Sequence, residues 1–535
     1  MNRLIFQTQP PALAPHPNRA DIACFVGFVG RRPTPLPGVM QQWLVDQGWG
    51  QPPYGRAGAL GMAESPPSLL DVPVPIDSWS TFDYLFAWDQ RPVSPDGALR
   101  GGTYLGAAVR SFFAQGGQRC YVVRVGDPWP FNAPREQRLN QIERLVPGYR
   151  PQSRSLFSGS PSDRGSWHGV GHLFGLPDVA FLGLPDLADG VAADRPALPT
   201  QSPVAEEDLP ETFVVCSDPA PAPPPDSGVR QLPAPRCDGL GYGEWVRSLH
   251  LVASLLERHQ HQGSLRPVQL VAAIPLPLAG TPAEQDLWAV LGDDSAPGLT
   301  TDPADDGIAS RFVQLVYPWV RTPGSAALPE QLESPEGLLI GLLARNALSR
   351  GTYRGAANSA LGDVFSVVPL LSQRQQWAVQ GAIGRRSRAL IDRVSLLGPT
   401  PDGLQLLSDV TTSLDERYRP ASVNRLVAGL IRAARQLGEE LVFEASGEYL
   451  WMRLEESLDG LLQSLFAAGA LRGTTAAEAY GVRCDRTTMT QNDLDHGRVI
   501  AQMQINPALP VEQITVVLAL NDSGQLLALG QQEAA

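Results

Sequence analysis

Apolar positions along this chain recur in two alternating rhythms. Between Thr103 and Gly117, Leu105, Ala108, Val109, Phe112 and Phe113 repeat at three- and four-residue spacing. That pattern predicts an amphipathic helix capped by Thr103 and stopped by Gly116-Gly117. The run Cys120-Tyr-Val-Val-Arg-Val125 follows at once and predicts a strand. The same pair returns as Trp245, Leu249, Val252, Leu255 and Leu256, then the strand Val268–Ile274, which Pro275 stops. Further strands are expected from Ile22 to Gly30 and over Phe312–Tyr317. Helix-then-strand units in succession favour a mostly parallel sheet, and hence an α/β fold.

The last third keeps helical spacing first and strand spacing last. Val423, Leu426, Val427, Leu430, Ile431 and Ala434 predict one helix, and Trp451, Leu454, Leu458, Leu461, Leu462 and Leu465 a longer one ending near Gly473. Thr475-Ala-Ala-Glu478 has the form of a capping box. Ile514–Leu520, a turn at Asn521–Gly524 and Leu526–Leu529 read as a hairpin or exposed strand pair.

Breaks in these rhythms give the organisation. Residues 1–20 hold one apolar run, Leu4-Ile5-Phe6, followed by Pro10, Pro11, Pro15 and Pro17, and read as an extended arm. Residues 33–73 read as a surface excursion. Residues 126–240 lose periodicity and pass through Pro219-Ala-Pro-Ala-Pro-Pro-Pro225, the mark of a loop-rich insertion. The expected division is an α/β domain over 21–345 carrying that insertion, a second over 346–510, and a terminal strand or arm over 511–535.

Composition narrows the function. The 42 basic side chains are all arginine, because the chain contains no lysine. This excludes a Schiff-base anchor for pyridoxal phosphate and a Walker A lysine. A net charge of −13 argues against general nucleic-acid binding. No run of 18 apolar residues is present, so no membrane insertion is expected, and the early prolines break any signal-peptide core. Cys24, Cys120, Cys216, Cys237 and Cys484 are odd in number, widely spaced and without a CxxC, and read as reduced thiols of a cytoplasmic product.

No catalytic, metal or cofactor constellation emerges. His168-Gly-Val-Gly-His172 has helical metal spacing, but its glycines argue against a helix and no acidic residue adjoins it, so polar loop histidines are expected. His259 and His261 fit the end of a helix. Glycines at 101, 102 and 106, and at 239, 241 and 243, lack the dinucleotide fingerprint and read as turn or cap residues. Asp293, Asp294, Asp305 and Asp306 read as solvated loop residues. Arg385, Arg386 and Arg388 form the densest basic patch; it is either a solvated helix face or a grip for an acidic surface on a neighbouring subunit.

Taken in order, several segments resemble the sheath proteins of contractile phage tails and related injection systems. They are Thr103–Val125, Val316-Tyr-Pro-Trp-Val320, Ser334-Pro-Glu-Gly337 with Gly341, Arg354-Gly-Ala-Ala-Asn358, Thr411-Thr-Ser-Leu414, Val442-Phe-Glu444, Gly469-Ala-Leu-Arg-Gly473 and Asn506-Pro-Ala-Leu-Pro510. The resemblance spans about 21–32, 76–126 and 242–520. It implies a subtilisin-like but non-catalytic α/β domain, and a C-terminal α/β domain whose extended arms reach neighbouring subunits. It also implies a structural protein without cofactor, assembled in the bacterial cytoplasm into a phage-tail-like particle. There it would form stacked hexameric rings around an inner tube, with baseplate and cap proteins as further partners. Leu4, Ile5, Phe6, Ile514, Val516 and Leu518 are the expected contact residues of the arms. A baseplate-proximal paralogue or collar subunit is the alternative, and a subtilisin-like hydrolase a remoter one. The chain departs from the family pattern at its start: Pro37-Gly38-Val39-Met40 is the nearest match to the family's Pro-Gly-Val-Tyr arm, and it follows the first strand.

Overall fold

In the computed structural model, the described residues are 19–49, 68–95, 99–153, 155–195, 228–291, 308–377, 389–441, 447–495, 498–509, 518–520 and 526–528. Contacts divide the chain into a large unit, Met1–Val442, and a terminal unit, Phe443–Ala535.

Eight strands form the sheet of the large unit: β1 (Ala23–Phe28), β2 (Pro73–Ile76), β3 (Cys120–Gly126), β4 (Phe181–Gly183), β5 (Gln269–Ala273), β6 (Val313–Tyr317), β7 (Ser395–Thr400) and β8 (Gly403–Leu406). Their spatial order is β8-β7-β6-β5-β4-β1-β3-β2. The six strands from β7 to β3 run parallel, and β8 and β2 close the edges antiparallel. Central strands covered on both faces must be apolar throughout, and every residue of β1, β3 and β5 is buried.

The helix expected after Thr103 is α1 (Tyr104–Ala114), and the Thr103 hydroxyl accepts the Gly106 N–H at 3.1 Å. Its buried Leu105, Val109 and Phe112 contribute roughly 1.5–3 kcal/mol each before ordering entropy. Helices α2 (Arg135–Leu145), α3 (Gly239–His261), α4 (Glu336–Ser349) and α5 (Ala421–Glu440) complete the main framework of this unit. Helix α4 lies against α1 with no room for a side chain between them: a Cβ at Gly337 would stand 2.1 Å from the Ala108 carbonyl oxygen. Arg432 of α5 donates to the carbonyls of Arg19, Asp178, Val179 and Pro267, tying the helix to the entry of β4 and β5. Burial lowers its guanidinium to about 10.

Several expectations are corrected here. The stretch 126–240 supplies α2 and the central strand β4, so it is built into the sheet. Three residues between Pro177 and Pro185 are too short to show a period. The excursion at 33–73 contains a helix over Gly38–Asp46. Residues 346–442 pack with the large unit, because β7 and β8 extend its sheet. The glycines at 239, 241 and 243 lie in the first turns of α3, where Asp238 Oδ1 accepts the Gly241 N–H at 2.9 Å. The expectation for the cysteines needs no such correction, since Cys24, Cys120, Cys237 and Cys484 are buried free thiols.

In the terminal unit, α6 (Glu448–Ala467) buries Leu458 and Leu462. Strands β9 (Tyr480–Arg483) and β10 (Gln502–Ile505) pair antiparallel, as do β11 (Leu518–Leu520) and β12 (Leu526–Ala528). The capping box expected at Thr475 is replaced by a neighbouring arrangement. Glu478 accepts the Thr474 N–H at 2.9 Å and the Thr474 hydroxyl at 2.6 Å, and the Thr475 side chain caps nothing. Among the described residues no helix is long and apolar enough to cross a membrane.

Candidate functional site

In an open α/β sheet, chemistry gathers at the carboxyl ends of strands where the strand order reverses. Here that point is β1, whose neighbours β3 and β4 are reached on opposite sides. Protein side chains fill it. Asp186 Oδ2 accepts the Phe28 N–H at 2.7 Å, and a Cβ at Gly27 would stand 2.4 Å from that oxygen, so glycine admits the carboxyl. Glu336, opening α4, accepts the Ala273 N–H at 2.7 Å where β5 ends. Burial pushes Asp186 up to about 7 and Glu336 to about 8. Nearby, Glu333 accepts from the Ser111 hydroxyl and is likewise raised by burial, to about 8.

Beside them lies a buried cluster of charge. Asp189 receives Arg91 Nη2 at 2.6 Å, Arg195 Nη2 at 2.6 Å and the Trp129 indole N–H at 2.8 Å. Arg138 donates to the Asp189 backbone carbonyl. Burial works to raise the Asp189 carboxyl, but the guanidiniums of Arg91, Arg195 and Arg138 outweigh it and hold it well below the usual range. Removing one partner of such a buried pair would strand the charge of the other, so the cluster is costly to break one residue at a time.

The histidines expected in a loop meet at one carboxylate: His168 precedes a 3-10 helix, Gly169–Gly175, and His172 lies buried within it. Asp71 contacts His168 Nδ1, lies 3.0 Å from His172 Nε2, and accepts the Gly169 N–H at 3.1 Å. The acidic partner that sequence spacing failed to supply stands 97 residues before His168. Burial works to raise Asp71, and its bonds to His168 and His172 overcome this and lower it. Among the described residues no group of three or more His, Cys, Asp or Glu is placed to hold a metal ion.

In the terminal unit, two segments far apart in sequence meet. Arg472 N–H donates to the Asn506 carbonyl at 2.8 Å, and Ala508 N–H to the Ala470 carbonyl at 3.0 Å. Gly469–Gly473 and Asn506–Leu509 thus form a short ladder beside β9 and β10. The β9–β10 pair has one face turned outward, with Gly481, Arg483, Gln502 and Gln504 exposed, while Tyr480 is buried and its hydroxyl donates to Gln463 of α6 at 2.7 Å.

Of the expected contact residues, Leu518 lies in β11, opposite Ala528. Leu4, Ile5, Phe6, Ile514, Val516, Arg385, Arg386 and Arg388 lie outside the described residues, as do Cys216, Asp293, Asp294, Asp305 and Asp306.

No model of a known family matches the sequence, and no curated protein is similar to it. Solved structures are. A chain from the baseplate of the anti-feeding prophage in its contracted state matches with a TM-score of 0.58 at 16% identity, covering 98% of both chains. One from the helical sheath of the same particle, also contracted, matches at 0.51 and 20% identity, covering 97% of this chain and 99% of that one. One from the contracted sheath complex of an extracellular contractile injection system, PVC, matches at 0.53 and 16%, covering 98% of both. The chain therefore has the fold of contractile injection system sheath proteins over nearly its whole length.

Proposed function

We propose that this protein is a structural subunit of a contractile sheath. The observation that carries the reading is the end-to-end likeness to sheath chains. The large sheet is then the non-catalytic, subtilisin-like sheath domain, and the side chains packed at the end of β1 favour a structural role over an enzymatic one. Copies assemble as stacked hexameric rings around an inner tube, between a baseplate and a cap, in the bacterial cytoplasm. The terminal segments, with Leu4, Ile5 and Phe6 at one end and Ile514, Val516 and Leu518 at the other, act as arms adding strands to neighbouring copies. Each backbone hydrogen bond so made is worth about 0.5–1.5 kcal/mol, and several per arm link subunits while their domains rotate. The stroke is a repacking between two arrangements and consumes no nucleotide.

The test is electron microscopy of the full chain expressed alone, beside a variant ending at Asn506. Hollow ribbed cylinders from the full chain and folded monomers from the variant are expected. Normal polymers from the truncated chain would defeat the arm mechanism. A baseplate-proximal role is the second reading, favoured by the higher TM-score to the baseplate chain. Copy number in purified particles separates the two.

A further inference from the structure

A cavity of about 350 Å³ opens where β3 ends, with Leu70 and Val125 among its apolar walls. This is within the size range of small-molecule sites, and it lies at the carboxyl end of a parallel strand. Its polar wall is held firmly. Asp71 clasps His168, and both Leu69 and Asp71 adopt left-handed backbone angles, φ 53° and 56°. Non-glycine residues keep such conformations only where surrounding structure enforces them.

The last turn of α2 adds Glu143 and Arg144 to the lining, adjacent in sequence and opposite in charge. Both are exposed, and neither side chain forms a hydrogen bond or ion pair among the described residues. The Arg144 guanidinium lies over Gly126, where a Cβ would stand 3.0 Å from its Nη1. Ser158 adds a hydroxyl to the lining. A simple anion would face Glu143 as well as Arg144, and a simple cation the reverse. A ligand carrying both charges satisfies both side chains.

We propose that this cavity binds a small zwitterion of the free α-amino acid class, its carboxylate on Arg144 and its ammonium on Glu143. The test is calorimetric titration of the full-length protein with glycine, L-glutamate and L-arginine, beside acetate and ethylammonium as singly charged controls. At least one amino acid should bind, with both controls weaker by about tenfold or more, the worth of one charged hydrogen bond. Glu143→Gln and Arg144→Gln, at exposed positions, should each lose affinity by a similar factor with unchanged thermal unfolding. Absence of binding by all three amino acids, equal binding of either control, or undiminished binding in both variants would overturn the proposal.

Discussion

Arg425 grips Asp409 with both terminal nitrogens, Nη1 to Oδ1 at 3.1 Å and Nη2 to Oδ2 at 2.5 Å, and both side chains are buried. The same carboxylate accepts from Gln314 Nε2 at 3.0 Å and from the Ala356 N–H at 2.8 Å. One group thus joins α5, β6 and the segment after α4. Burial works to raise its carboxyl, and the Arg425 guanidinium, with these hydrogen bonds, lowers it instead.

Arg425→Leu leaves that carboxylate buried without its main counter-charge. A loss of about 3–5 kcal/mol in urea unfolding is expected, and Asp409→Leu added to it should restore part of the loss. Retention of wild-type stability by the single variant would show the pair to be dispensable.

Asp186, Glu333 and Glu336 set the pH dependence above the ordinary carboxyl range. Their ordinary values are 3.8, 4.5 and 4.5, against about 7, about 8 and about 8 in the fold. Between those limits the folded chain holds protons that the unfolded chain has released, so stability falls as pH rises through that interval and levels off above it. Thermal unfolding should therefore occur at higher temperature at pH 5 than at pH 8. Asp186→Asn with Glu336→Gln should reduce that difference, since each amide oxygen still accepts its backbone N–H.

Helix contact is tested by two glycines. Gly337→Ala pushes a methyl group into the Ala108 backbone and should cost about 1–3 kcal/mol or more. Gly438→Ala, on α5 with nothing within 4 Å of its Cβ, should stabilise by up to about 1 kcal/mol. Chemical denaturation of both separates close packing from helix propensity.

Ala508→Pro removes the N–H that reaches Ala470. Under the sheath reading, the large unit should melt as before while polymers fail to form under the microscope, because the terminal segment is no longer aimed. Cylinders of wild-type length would refute this.

Much of the fold was legible where periods were long. Thr103, the five apolar positions after it and the strand from Cys120 are continuous enough to reveal a helix and strand without tertiary help. Strand β4 is hidden because three residues carry no period, and with it Asp186 and Asp189, which no sequence pattern singles out. The Asp71–His168–His172 cluster is illegible for another reason: its members are joined only in three dimensions, by β2 pairing with β3 and by the 3-10 helix of the histidines packing on that same strand. Gly337 and Gly341 belong to the segments that carry the resemblance, and their cause, the close approach of α4 to α1, is visible only in three dimensions. The signal available for Asp186 was the run Val179–Leu184 framed by Pro177 and Pro185, a short strand followed at once by acids.

Among the described residues, the β9–β10 ladder has two unlike borders, the backbone of Tyr480–Arg483 along one and that of Gln502–Ile505 along the other. Under the sheath reading, a strand donated by one copy to such a border of the next makes a heterologous, head-to-tail joint, and repeated joints of that kind keep one polarity. A filament built from such joints has a front and a back at every link. On that reading, the direction of the stroke would be set within each subunit before any ring closes.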